Sequence, residues 1–120
     1  MEATLRDLAL QAAGALAIVV AIFHGAIAEL RVFPRVRIAP DRATPLLRMV
    51  WQASTVGWIG LGILLIAAPT FGSESARRWI IAVAILVYGY GAVGNAVANR
   101  LRHVGWVLLC AVIGLAFAGL

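Results

Sequence analysis

The stretch LALQAAGALAIVVAIFHGAIA, residues 8–28, runs 21 positions without an Asp, Glu, Lys or Arg. About 20 mostly apolar residues in a helix cross roughly 30 Å of hydrocarbon, so this run has the length of a membrane span. A lone span satisfies its own backbone hydrogen bonds, and the alternating strands of a closed barrel are absent, so the run is read as a helix. Working outward, Leu46–Ala67, Trp79–Val97 and Val104–Leu120 also qualify or nearly do, the last being at the short limit with 17 residues. The expected fold class is all-α: a polytopic membrane protein forming an antiparallel four-transmembrane-helix bundle, with residues 1–120 as one domain.

Composition agrees. Of the 120 residues 63% are apolar and only 12% charged, with a mean hydropathy of +0.99. A soluble domain is closer to half apolar with about a quarter charged. All ten basic residues are Arg, and the net charge is +5. In a chain of this class, clustered basic loops report orientation and contact with anionic lipid rather than binding of nucleic acid. Cys110 is the single cysteine and has no partner for an intramolecular disulfide.

Punctuation separates the spans. Thr44-Pro45 reads as N-cap and first-turn proline of the second helix, and the segment Pro69 to Ser75 ends that helix and caps the third. The turn NRLRH, residues 99–103, is short enough to make the third and fourth helices antiparallel neighbours. The first loop carries Arg31, Arg35, Arg37, Arg42 and Arg48, and the third turn Arg100 and Arg102. Only Arg6, Arg77 and Arg78 fall on the other side. By the positive-inside rule the basic loops are cytoplasmic and both termini are not. The first span lacks a basic flank before it and is followed by a basic loop, so it reads as a retained span rather than a cleaved leader. No long internal repeat is present, which leaves an inverted-repeat transporter within one chain unsupported.

Small residues at i, i+4 let helices approach closely in lipid. Such ladders run through Ala13, Ala17, Ala21 and Gly25 in the first helix, and Cys110, Gly114 and Ala118 in the fourth. The third offers Gly91, Gly94 and Ala98, and the second Ala53, Gly57, Gly60 and Gly62. Depth, at 1.5 Å per residue, puts His24 about 6 Å inside the loop end of its helix. Gln52, Thr55 and Asn95 lie at similar depth, with Glu29, Asn99 and His103 nearer the surface. These seven residues form the candidate polar cluster: polar groups in a span are costly unless they face the bundle or a wet cavity. The outer half of the bundle is expected to be nearly devoid of polar side chains. Glu29 is about 140° around the helix from His24, so the two do not form a dyad on one face.

Trp51, Trp79 and Trp106 fall near the expected interfaces as anchors, whereas Trp58 is deeper and expected to pack between helices or against lipid. Tyr88 and Tyr90 lie mid-span on different faces.

The motifs HGAIAELR (residues 24–31), RMVWQAST (48–55) and RHVGW (102–106) resemble a group of small bacterial four-helix membrane proteins. That group pairs a His…Glu-x-Arg first-helix end with an Arg-His-x-x-Trp start to the fourth helix. The resemblance implies the four-helix architecture, the polar cluster and a place in the bacterial inner membrane, but no reaction. Ala28 stands where the group carries Gly, and Gln52 where it often carries His, which weakens a two-histidine haem or metal site.

No catalytic constellation, metal site or haem site is expected, since His24 and His103 are the only histidines and no Ser-His-acid or paired-carboxylate set lies at one depth. The expected function is that of an accessory or small-ligand-binding membrane protein with a cytoplasm-facing polar cluster. Its expected partners are the bilayer, anionic headgroups at the basic loop, and further copies or a larger membrane complex. The alternative is a small homo-oligomeric transporter or channel, although no acidic residue sits mid-span to couple protons.

Overall fold

The computed structural model describes residues 2–120. Helix α1 spans Glu2–Ile27 and widens into a π-helical turn at Ala28–Val32. Helix α2 spans Ala43–Ala67 and runs on through a 3-10 turn, Ala68–Phe71. Helix α3 spans Glu74–Ala98 and α4 spans Gly105–Ala118. There is no strand among the described residues, so the protein is all-α with four helices.

Three of these helices are long and apolar enough to cross a membrane: Thr4–Val32, Ala43–Phe71 and Glu74–Ala98. The fourth has 14 residues rather than the expected 17. At 1.5 Å per residue it reaches about 21 Å, short of the roughly 30 Å hydrocarbon layer.

Helix ends depart from the hydropathy pattern for local reasons. The second helix starts at Ala43, and Thr44 lies inside its first turn instead of capping it. The bonds Ala43 N–H to Pro40 O (2.8 Å) and Thr44 N–H to Asp41 O (3.2 Å) satisfy the first donors, and Pro45 has none to satisfy. The third helix is capped by Ser73, whose hydroxyl accepts from Ala76 N–H at 3.2 Å. It therefore begins at Glu74, before the apolar run, and carries Arg77 and Arg78 on its first turns.

Helix α1 is the central element, packed on α2 along one side and α4 along the other, while α4 also packs on α3. The ladder expected on α1 is its core face: Ala13, Ala17 and Ala21 are fully buried. Gly14 marks the closest crossing with α2, since a Cβ there would fall 2.3 Å from Gly62 O. The ladder expected on α4 is not a packing face, because Cys110, Gly114 and Ala118 are exposed. Leu109, Val112 and Ala116 face the core instead. Large α4 side chains fill the space that α1's alanines leave, so small-on-small contact is not needed there. Ala53, Gly57 and Gly60 of α2 also lie on an exposed face.

The end of the molecule carrying the chain termini is not devoid of polar side chains as expected. Arg77 is only 8% exposed, pairs with the Asp7 carboxylate and donates to Gly119 O at 3.1 Å. Arg6 pairs with Glu74 at 3.1 Å. These bonds tie together the start of α1, the start of α3 and the residue after α4. Hydropathy misses them because α1 and α3 begin before their apolar runs do, and charges on those first turns meet.

At the other end, the turn between α3 and α4 places Arg100 (φ 49°) and Leu101 (φ 63°) in the left-handed region, uncommon for non-glycine residues. Trp106 Nε1 donates to Leu101 O at 3.3 Å and holds the turn against α4.

Candidate functional site

Trp51, Ser54 and Trp58 fall at i, i+3 and i+7 on α2, which puts them on one face. His24 of α1 meets that face. Its ring stacks on Trp51 (centroids 4.9 Å apart, planes 16° apart) and on Trp58 (4.6 Å, 27°). Residues seven apart stand about 10.5 Å apart along a helix, so the two indoles cover opposite faces of the imidazole. Each such pair contributes about 0.5–1.5 kcal/mol beyond its area. The indole Nε1 of Trp51 donates to His24 O at 3.1 Å, which closes the α1–α2 contact from the other direction.

The hydrogen bonds define which imidazole nitrogen carries the proton. Ser54 Oγ donates to Trp51 O at 2.6 Å, so its only proton is in use. The 3.1 Å contact between His24 Nε2 and Ser54 Oγ then requires Nε2–H to donate. Neutral His24 is thereby assigned, from its network, a lone pair on Nδ1. That atom has no hydrogen-bond partner among the described residues.

His24 lines two cavities that share Trp51, Trp58, Asn95 and Asn99 as walls. The larger, about 580 Å³, lies between α2 and α3, with Ser54, Tyr90, Gly91 and Gly94 on its walls. Above it, Tyr88 O–H donates to Trp58 O at 2.8 Å and Trp58 packs on Gly91, so the two helices touch there and part beyond. The smaller cavity, about 360 Å³, lies between α1 and α4 and adds Phe23, His103 and Leu108. No Asp, Glu, Lys or Arg lines either cavity. Asn95 Oδ1 is buried without a donor among the described residues. His103 Nδ1 accepts from Gly105 N–H at 3.0 Å.

The seven candidate polar residues thus divide into two groups. His24, Asn95, Asn99 and His103 line the cavities. Glu29, Gln52 and Thr55 belong to the α1–α2 seam. Gln52 Nε2 donates to Gly25 O (3.1 Å) and to Glu29 Oε1 (2.9 Å), and Arg48 binds the same carboxylate at 2.8 Å. Thr55 is buried beside Gly25, where an added Cβ would lie 2.9 Å from its methyl. Arg48 also lies over Phe33, 5.5 Å from the ring centroid, and Phe33 meets Trp51 edge-on.

Of the basic loop, Arg31, Arg35, Arg37 and Arg42 are exposed and make no ion pair among the described residues. Trp79 is 71% exposed and Trp106 half-buried, whereas Trp51 turns inward onto His24. Trp58 packs between helices. Ser54 was not among the candidate residues; its signal was the spacing of Trp51, Ser54 and Trp58 on one helical face. Among the described residues, no three His, Cys, Asp or Glu side chains gather closely enough to hold a metal ion.

The fold and this geometry define a four-helix protein with three membrane-length helices and an uncharged, aromatic-lined cavity at one end. No protein-family model matches the chain, and neither a curated protein nor a solved structure matches it.

Proposed function

We propose that the protein is an integral protein of the bacterial inner membrane that binds a small lipophilic ligand in the cavity between α2 and α3, with its basic end in the cytoplasm. One observation carries the reading: His24, held between Trp51 and Trp58, stands in the wall of a space of about 580 Å³ that has no charged side chain in its lining. Binding sites are typically concave, mostly apolar and furnished with a few oriented polar groups. The exposed first-loop arginines supply contact with anionic headgroups and, by the positive-inside rule, the orientation. Neither nucleic-acid binding nor a catalytic reaction is part of this reading, since no paired acid–base or nucleophile set lines the cavity.

The test is purification in mild detergent followed by mass spectrometry of the extracted small molecules. A lipophile near one per chain supports the reading. A chain that carries none, and whose tryptophan emission is unchanged by added lipophiles, contradicts it.

The exposed small-residue faces, Ala53, Gly57 and Gly60 on α2 and Cys110, Gly114 and Ala118 on α4, favour a second reading as a homo-oligomeric transporter. Solute flux in reconstituted vesicles tests it. Flux that survives His24→Ala would remove His24 as the coupling group.

A further inference from the structure

The wall that α3 gives to the larger cavity is a line rather than a patch. Leu86, Tyr90, Gly94 and Ala98 follow one another at i, i+4 spacing, so all four fall along one side of the helix. All four are exposed, Leu86 at 73% and Tyr90 at 84%, and a Cβ built on Gly94 meets nothing within 4 Å. The cavity is therefore a groove open to the side of the molecule, with Ser54 and Trp58 of α2 in its opposite wall. Leu86 is the midpoint of Glu74–Ala98, so the groove runs from the middle of the span to its loop end. At 1.5 Å per residue that is about 18 Å. One leaflet's share of the roughly 30 Å hydrocarbon layer is about 15 Å, so the groove has the length and the depth of a single acyl chain.

The loop end of this groove carries charge where its walls carry none. Asn99 is the last residue of the lining, and Arg100 and Arg102 follow it in the turn. Arg102 N–H donates to Asn99 O at 3.0 Å, which folds the turn back against that end. Both arginines are exposed, and neither makes an ion pair among the described residues. Arg48 and Arg77, by contrast, are paired with Glu29 and Asp7. Guanidinium groups bind phosphate oxygens through forked, charge-assisted hydrogen bonds. A neutral lipophile fills the groove and leaves the two arginines unpaired. A zwitterionic headgroup brings its own cation beside them. An acidic headgroup joined to an acyl chain meets both features.

Resting on the ligand-binding reading above, we infer that the ligand is an acidic phospholipid of the bilayer, one acyl chain of which lies in the groove along α3 while its phosphate is held by Arg100 and Arg102.

Trp51 and Trp58 line the groove, so a lipid with bromine on its acyl chain quenches their emission when the chain lies there. The protein is reconstituted in phosphatidylcholine vesicles holding a graded share of brominated phosphatidylglycerol or, in a matched set, of brominated phosphatidylcholine. The wild type is expected to reach half-quenching at about a tenfold smaller share of the acidic lipid, the scale of preference that two arginines at a membrane surface supply. Arg100→Asn, suited to the left-handed backbone at φ 49°, combined with Arg102→Gln is expected to bring the two lipids level while the first-loop arginines stay in place. Gly94→Phe fills the groove and is expected to weaken quenching by both lipids. Equal quenching of the wild type by the two lipids overturns the acidic headgroup. A preference that survives in the double arginine variant overturns the assignment to Arg100 and Arg102. Quenching unchanged in Gly94→Phe overturns the place of the chain. Extraction of a different lipophile at one per chain overturns the inference and leaves the binding reading standing, whereas a chain that carries no lipophile and responds to none overturns both.

Discussion

At the residue scale, His24 is held by three separate interactions: two indole faces and Ser54 Oγ. With each stack worth about 0.5–1.5 kcal/mol and the interhelical bond about 1, His24→Ala is expected to lower stability by about 2–4 kcal/mol. His24→Phe keeps the ring stacking and loses only the hydrogen bond, so its loss is expected to be about 1 kcal/mol. Unfolding in mixed micelles at increasing SDS fraction measures both. Equal losses would mean that the stacking adds nothing. The presence of a polar atom at position 24 is plain in the sequence, and so is its depth. Its partner is not: Gln52 and Asn95 have the more conspicuous polar side chains at that depth, yet Gln52 is drawn to Glu29 and the backbone of Gly25. Only the shared helical face of Trp51, Ser54 and Trp58 points to the true partners.

At the element scale, a small residue in an apolar helix carries two meanings that sequence alone does not separate. Gly14 lies against the backbone of Gly62, which cannot move aside as a side-chain tip can, whereas Gly57 has nothing near it. Gly14→Ala is expected to cost about 1–3 kcal/mol through overpacking. Gly57→Ala is expected to be neutral or to stabilise by up to about 1 kcal/mol through helix propensity. The same micelle titration compares the pair, and similar effects at both sites would contradict the α1–α2 crossing. The existence and order of the helices follow from hydropathy, because apolar length dominates that signal. Their starts do not. The Ser73 cap and the Pro40–Asp41 turn place the first turns of α3 and α2 outside the apolar runs. That is how Arg77 comes to be buried against Asp7 rather than lying free in a loop.

At the scale of the whole molecule, α1 holds α2 and α4 together, and α2 parts from α3 beyond Trp58, so the bundle opens towards the end that carries the basic loop. The opening could not be read from composition, which is equally apolar on closed and open faces. If that end is cytoplasmic, as the arginine count implies, a membrane-impermeant maleimide applied to spheroplasts labels Ser73→Cys and spares Arg42→Cys, each in a Cys110→Ala background. Labelling of Arg42→Cys instead would invert the orientation. The central claim, that the space between α2 and α3 is a ligand site, is tested most directly by filling it with Gly94→Phe. The added ring enters open space, so the variant is expected to unfold at the same SDS fraction as the wild type or higher, yet to lose its tryptophan response to added lipophiles. A stable Gly94→Phe protein that binds lipophiles as tightly as the wild type would contradict the account.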